Sequence, residues 1–156
     1  ESVSDILSKN DIKIEGVCAG AAIYSTKALE EVKLDDENYF DSNFFAYFED
    51  VDLSLRLKGA GYKFKLLKDS IVYHMHSATG GKTSGFKEYY LTRNLFMYTK
   101  RNQTIEEYKK HKKEYYIWFL KTIVKNINNF NAIKLAVKGL SDGLKESKKI
   151  QYWKIQ

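Results

Sequence analysis

The sequence predicts an α/β unit followed by a helical tail, and three observations favour this arrangement. Residues 12–24 and 62–73 are apolar or alternating runs that are typical of strands. A helical pattern lies between them, and from residue 86 onward apolar residues recur every three to four positions. The 156 residues include no proline, which suits a helix-rich chain.

The first predicted strand contains small residues that allow another group to approach closely. Gly16 and Gly20 lie within residues 12–24, and a glycine in a strand leaves room for a neighbouring backbone or a ligand. Ser25 follows as the N-cap of a short helix with the sequence STKALEEV. The beginning of the chain is thus predicted to be a strand that leads into a helix.

The middle of the chain is predicted to contain a second helix and further extended structure. Apolar spacing predicts a helix over residues 48–58, and the glycines that follow end it. One or two strands follow at residues 62–73, and residues 74–85 form a Gly/Ser/Thr loop of the kind that often carries function. The tail is predicted to contain three helices, at residues 86–100, 105–126 and 132–145.

Charge is divided unevenly along the chain. Residues 1–81 hold 9 Lys or Arg and 14 Asp or Glu, a net charge of −5, whereas residues 82–156 hold 17 and 6, a net charge of +11. A basic rear half indicates an anionic partner. The single cysteine, Cys18, excludes an intramolecular disulfide, and no apolar run approaches the ~18 residues of a membrane span.

The acidic cluster at Glu49, Asp50 and Asp52 has two explanations. Carboxylates in the first turn of a helix are stabilised by the helix dipole by about 0.3–1 kcal/mol each. Alternatively, one of them is a general base whose pKa is raised by the apolar run FFAYF at residues 44–48. Arg56 is four residues after Asp52, so these two are expected to form a structural pair. Glu49 and Asp50 remain as the candidates for chemistry.

Other patterns carry less chemical information. His74 and His76 have the spacing of two ligands on one strand face, but two ligands do not make a metal site, and surface histidines are the alternative. Residues 35–43 lack the glycine and the closing ligand of a calcium loop. Neither a phosphate-binding P-loop nor a dinucleotide-binding glycine pattern occurs.

Four segments, taken in order, resemble the second half of a family 2 inverting glycosyltransferase of the rhamnosyltransferase-like type. They are AGAAIYSTKALEEV, FDSNFFAYFEDVDLSLRLKGAGYKF, HMHSATGGKTSG and YYLTRNLF. The resemblance covers residues 16–102 and is weaker in the tail. It implies that residues 1–101 are the acceptor-side half of a GT-A, Rossmann-like domain and that residues 102–156 are a basic amphipathic tail.

The resemblance also implies roles for individual residues. Asp50 would be the catalytic base that deprotonates the acceptor hydroxyl, and Glu49 would help to bind the acceptor. Gly20, Ala21 and Arg93 would bind substrate or acceptor. Arg93 and Asn94 match the family's Arg-Asn pair, in which the positive charge of the arginine would lie near the leaving diphosphate; a salt bridge on the helix face is the alternative for Arg93. The parent enzyme would transfer rhamnose or another hexose from a nucleotide sugar to a glycan or lipid-linked acceptor during surface polysaccharide synthesis.

The family's metal and donor sites are expected to lie largely outside this sequence. The resemblance implies a divalent metal, Mn²⁺ or Mg²⁺, held mostly by an N-terminal Asp-x-Asp half, with His74 reaching the metal or the diphosphate. No such Asp-x-Asp precedes Gly16. We therefore expect no transferase turnover from residues 1–156 alone, which an assay with nucleotide-sugar donors would check.

The tail suggests partners of its own. Residues 105–145 are rich in lysine and aromatic residues interspersed with aliphatic ones. Such a composition is typical of amphipathic helices that lie at a membrane interface. An ordinary core-facing stripe is the alternative. We expect a cytoplasmic protein, peripheral at the inner face of the cell membrane. The competing interpretations are a nucleic-acid-binding module, which the absence of a recognition motif disfavours, and a non-catalytic half-protein.

Overall fold

The computed structural model describes residues 13–73 and 84–149, and within these ranges the chain is helical. Its helices are α1 (Thr26–Val32), α2 (Glu49–Gly59), α3 (Phe86–Asn102), α4 (Ile105–Lys125) and α5 (Phe130–Glu146), with a short 3₁₀ turn at Ala19–Ala21. No strand occurs in the described part of the chain. The predicted α/β, Rossmann-like GT-A fold is therefore wrong for these residues.

Neither of the two segments predicted as strands forms one in the described ranges, and the physical reason is the same for both. A strand is stable only when a neighbouring strand pairs with its backbone N–H and C=O groups, and none does so in the described ranges. The Val17 N–H instead donates a hydrogen bond to Ser54 Oγ at 3.1 Å. Ile71, Val72 and Tyr73 are 78%, 63% and 95% exposed. Their β-branched and aromatic side chains favour extended backbone, but they do not create a sheet.

The described residues divide into two compact units. The first contains residues 13–43 and 49–73, and the second contains residues 44–48 and 84–149. The predicted boundary after residue 101 falls at the end of α3, inside the second unit.

The first unit is built on the contact between α1 and α2. Ala28 and Val32 of α1 and Leu53 and Leu57 of α2 form a buried apolar cluster. Ser25 Oγ accepts a hydrogen bond from the Ala28 N–H at 3.5 Å, so the predicted N-cap is confirmed. The helix predicted over residues 48–58 is likewise confirmed as α2.

A buried ion pair connects α2 with its surroundings. Arg56 Nε lies 2.9 Å from Asp52 Oδ2, and both side chains are almost fully buried. The same guanidinium donates to the carbonyl oxygens of Val32 and Tyr39. Because these partners satisfy a charge that would otherwise be costly to bury, the pair predicted from the i, i+4 spacing is structural.

The second unit is a packing of α3 against α5 with α4 alongside. Ala132, Ala136, Gly139 and Gly143 form the buried stripe of α5. A Cβ at Gly139 would lie 2.4 Å from the Tyr89 carbonyl oxygen, and one at Gly143 would lie 2.5 Å from that of Arg93. The two helices therefore approach so closely that only glycine fits at these positions.

Helix α4 begins with a capping box. Thr104 Oγ1 accepts from the Glu107 N–H at 3.2 Å, while Glu107 Oε2 accepts from the Thr104 N–H at 2.8 Å. All three tail helices that the periodicity predicted are confirmed. Within the described ranges, no helix combines the length and the apolar composition needed to cross a membrane.

Candidate functional site

The carboxylate of Asp50 is oriented by two backbone donors at the start of α2. Asp50 Oδ1 accepts from the Val51 N–H at 2.8 Å, and Asp50 Oδ2 accepts from the Ala19 N–H at 3.1 Å. The first bond is local to the helix N-terminus, but the second joins residues 31 positions apart. Ala19 thereby fixes the side-chain direction, while the carboxylate keeps further lone pairs for a ligand.

Glu49 lies in a different environment from its neighbour. Its Oε2 atom is buried and has no hydrogen-bond partner among the described residues. Burial raises the pKa of Glu49 above its ordinary value, its own backbone N–H lowers that pKa, and the charge of Asp50 raises it. The burial effect is the largest, so Glu49 takes up a proton more readily than an exposed glutamate. Two adjacent carboxyl groups with different environments can divide the acid and base roles of a reaction.

Tyr24 adds a third polar group to this part of the first unit. Its hydroxyl is also buried without a hydrogen-bond partner in the described ranges. Burial raises the pKa of Tyr24, and the charges of Asp50, Cys18 and Glu49 raise it further. A phenol beside carboxylates remains protonated at neutral pH, so it can donate a hydrogen bond to a ligand.

The structure brings some of the predicted site residues together. Gly20 and Ala21 are exposed in the 3₁₀ turn whose first residue, Ala19, donates to Asp50. Gly16 allows the close approach that the sequence predicted, because a Cβ there would lie 2.8 Å from Ser54 Cβ. The neighbour at Gly16 is a side chain of the same unit and not the backbone or ligand that was expected from the sequence. We name the set Tyr24, Glu49, Asp50 and the 3₁₀ turn the carboxylate site.

The Arg93–Asn94 pair belongs to the second unit and has a clear structural role. The fully buried Asn94 donates from Nδ2 to the carbonyl oxygens of Phe44, Ala46 and Tyr47 at 2.9, 2.7 and 2.8 Å. Arg93 Nη1 donates to Asn94 Oδ1 at 2.9 Å, which fixes the amide orientation. Whether Arg93 also serves a leaving diphosphate stays a prediction.

The segment that Asn94 holds has an unusual backbone. Phe45, Tyr47 and Phe48 have φ values of 61°, 65° and 74°, in the left-handed region that non-glycine residues rarely adopt. Such residues cost on the order of 1–3 kcal/mol each and occur where the surroundings enforce them. Rings support this turn, since Phe45 contacts Tyr90 and Phe48 contacts Tyr98, with centroids 5.2 and 5.3 Å apart.

The described residues do not contain a complete donor set for the divalent metal that the resemblance implies. His74 lies outside the described ranges. Among the residues that are described, no group of three or more His, Cys, Asp or Glu side chains could hold a metal ion. The described carboxylates therefore do not by themselves supply the donor set of a metal centre.

Sequence reasoning missed three features of these regions. Tyr24 was included in a predicted strand without a role, and only its buried, unpartnered hydroxyl distinguishes it from an ordinary core tyrosine. The left-handed turn was missed because its sequence, FFAYF, contains no glycine to indicate positive φ. An Arg-Asn pair was noticed, but nothing local indicates that its amide reaches residues about 50 positions earlier.

Comparisons with known proteins identify no relatives of this chain. No protein-family model matches the sequence, and neither a curated protein nor a solved structure is significantly similar to it.

Proposed function

We propose that this chain contributes the acceptor side of an inverting glycosyl transfer, with Asp50 as the catalytic base. The observation that carries the proposal is the carboxylate site. It combines an oriented carboxylate at Asp50 with buried polar atoms of Glu49 and Tyr24 that have no described partner. The proposal rests on this site and on the resemblance of the surrounding motifs, and it does not use the α/β fold, since a site determines function and a fold does not.

A hydroxyl-rich ligand suits these groups. Each sugar hydroxyl donates one hydrogen bond and can accept two. Asp50 and Glu49 supply acceptors, and the Tyr24 hydroxyl supplies a donor. A buried polar atom without a partner costs about 1–3 kcal/mol, and a bound hydroxyl that satisfies it recovers part of that cost. Gly20 and Ala21, in the turn that contains the Asp50 partner Ala19, are exposed and therefore accessible to a sugar.

The proposed reaction is a single displacement. The proton of the acceptor hydroxyl moves to the Asp50 carboxylate while the hydroxyl oxygen forms a bond to the anomeric carbon of the donor sugar. The bond from that carbon to the diphosphate oxygen breaks, and the nucleoside diphosphate leaves with the electron pair. Because attack occurs opposite the leaving group, the configuration inverts. General-base assistance of this kind contributes about 10²- to 10⁴-fold to a rate.

Glu49 is proposed to bind the acceptor rather than to remove the proton. Its raised pKa allows it to share a proton with a sugar hydroxyl, whereas the Asp50 carboxylate is held in place by two N–H donors. The donor sugar and the acceptor are proposed only as classes, a nucleotide-linked hexose and a glycan or lipid-linked glycan.

The binding half of the proposal can be tested on the chain itself. The ¹⁵N-labelled protein is titrated with the methyl glycosides of rhamnose, glucose and galactose. We expect shifts in the amide signals of Ala19, Gly20 and Val51. Tyr24→Phe should weaken binding about three- to tenfold through the loss of one hydrogen bond, and Glu49→Gln should weaken it by a similar factor because a neutral amide replaces the carboxyl group. Tyr39→Phe is the matched control, because that tyrosine bonds to Glu30 instead.

The titration contradicts the proposal if the amides of the 3₁₀ turn do not respond to any of the glycosides. A response that is unchanged in Tyr24→Phe and Glu49→Gln would also contradict it, because the sugar would then be binding elsewhere.

A further inference from the structure

The second unit exposes an apolar surface that its own core does not use. Ile117, Leu120 and Val124 of α4 are 41%, 58% and 68% exposed, and Ile127 and Phe130, which follow, are 72% and 80% exposed. We call these five residues the apolar ridge. Residues 117, 120 and 124 have the i, i+3, i+7 spacing that puts them on one face of the helix. The opposite face of α4 contains the buried Phe119.

An exposed ridge of this kind points to a binding partner. Single exposed apolar residues are common on protein surfaces, but a contiguous row of large aliphatic and aromatic side chains marks a contact with a protein or a membrane. The helix that presents most of the ridge is long and well capped, since α4 has 21 residues and a capping box at its start. Its partner can be inferred from the charges around it.

The ridge lies in a stretch of chain with only positive formal charge. Residues 115–141 contain four lysines and no aspartate or glutamate. Lys121, Lys125 and Lys134 are exposed beside the ridge residues in sequence. A groove between α3 and α4 is lined by Lys87, Lys121 and Lys125, together with Trp118 and one carboxylate, Glu88. An apolar row flanked by lysines is complementary to anionic head groups above a hydrocarbon layer.

We propose that the apolar ridge and its flanking lysines attach this protein to the surface of an anionic phospholipid bilayer. The aliphatic side chains of α4 enter the interface, and the lysine ammonium groups remain at the level of the phosphates. The proposed attachment is to the surface of one leaflet. This inference does not depend on the proposed transfer reaction, because the ridge and the carboxylate site belong to different units.

The test measures vesicle binding by flotation for residues 1–156. Vesicles of phosphatidylcholine alone are compared with vesicles that also contain phosphatidylglycerol. We expect binding to the anionic vesicles and little to the neutral ones, weakened by added salt. Lys121→Gln with Lys125→Gln should weaken binding roughly 30-fold, since each lysine near an anionic surface contributes about fivefold. Leu120→Gln with Val124→Gln should weaken it about tenfold or more.

Matched controls make the same changes in the first unit. Lys63→Gln with Lys65→Gln removes two exposed charges, and Ile71→Gln with Val72→Gln removes two exposed aliphatic side chains. Both controls should bind as the unchanged protein does. The substituted positions are exposed, and circular dichroism verifies that each variant keeps its helical content.

Three results would overturn the inference. The first is equal binding to neutral and anionic vesicles, or none to either. The second is that the ridge variants abolish a dimer in solution without affecting vesicle binding, which would identify a second copy of the chain as the partner. The third is tight binding of single-stranded RNA that depends on Lys121 and Lys125 but not on Leu120 and Val124, with no vesicle binding, which would identify a nucleic-acid surface.

Discussion

The neighbouring carboxyl groups of Glu49 and Asp50 differ because their surroundings differ. Asp50 accepts two backbone N–H bonds, whereas Glu49 Oε2 is buried without a described partner. Sites that transfer protons often pair two carboxyl groups in this way. One is held in a fixed orientation, and burial disfavours the charged form of the other. The helix dipole at the start of α2 accounts for the presence of acidic residues, but it does not account for the burial of one of them.

The raised pKa of Glu49 predicts how stability changes with pH. Because burial raises this pKa above the ordinary value of 4.5, the folded chain binds the proton more tightly than the unfolded chain does. The resulting stabilisation is present below pH 4.5 and is lost as the pH rises through the folded-state pKa. Glu49→Gln should remove this decline and should be at least as stable as the unchanged protein at neutral pH.

Urea denaturation at a series of pH values measures this effect, and Glu37→Gln, at an exposed position, is the control. If Glu49→Gln shows the same decline in the free energy of unfolding as Glu37→Gln, the assigned environment of Glu49 is wrong.

Asn94 predicts a second effect at a single side chain. One amide group, with two hydrogens, serves three carbonyl oxygens of a turn that contains three left-handed residues. Asn94→Ala leaves these oxygens without their donor and releases the turn, so we expect a loss of about 3 kcal/mol in the free energy of unfolding. Asn102→Ala, which removes a single bond to the Tyr98 carbonyl oxygen, should cost about 1 kcal/mol. Equal losses in chemical denaturation would show that Asn94 does not enforce the turn.

Between helices, the packing of α5 on α3 depends on the absence of side chains. Alanine is ordinarily better than glycine in a helix by about 1 kcal/mol. At Gly139, however, the added Cβ would lie 2.4 Å from the Tyr89 carbonyl oxygen, so the helices must separate. This close contact explains why α5 has glycines at two interior positions.

We therefore expect Gly139→Ala to destabilise the chain by about 1–3 kcal/mol in spite of the better helix propensity. Gly59→Ala is the matched control, since a Cβ there meets nothing within 4 Å, and it should cause no loss. Thermal denaturation distinguishes the two. A Gly139→Ala variant as stable as Gly59→Ala would contradict the close approach of α3 and α5.

Over the chain as a whole, local patterns were predictable and long-range pairings were not. The helices of the tail follow from apolar spacing and from caps such as Thr104, which act within a few residues. The strands predicted at residues 12–24 and 62–73 are absent from the described part of the chain, because a strand requires a distant partner and propensity alone cannot supply one. The helices of the described residues could therefore be predicted from the sequence, whereas the absence of a sheet among these residues could not.

The candidate site was predictable in the same uneven way. Glu49 and Asp50 were identified from their position at the start of a predicted helix, and Gly20 and Ala21 were identified through a resemblance. The Ala19 bond to Asp50 and the role of Asn94 depend on contacts 31 and about 50 positions apart, which no local pattern indicates. The sequence also does not show that the apolar ridge is exposed, because its residues have the same spacing as a core-facing stripe.

The central claim, that Asp50 is a catalytic base, is tested most directly by a transferase assay of Asp50→Asn. The substitution is made in the product of the complete open reading frame, and the rate of sugar transfer from nucleotide-sugar donors is compared with that of Asp36→Asn, a change at an exposed aspartate. We predict that Asp50→Asn lowers kcat about 10²- to 10⁴-fold with little change in KM, because the amide keeps the shape but cannot take the proton. An Asp50→Asn enzyme as fast as Asp36→Asn would contradict the account.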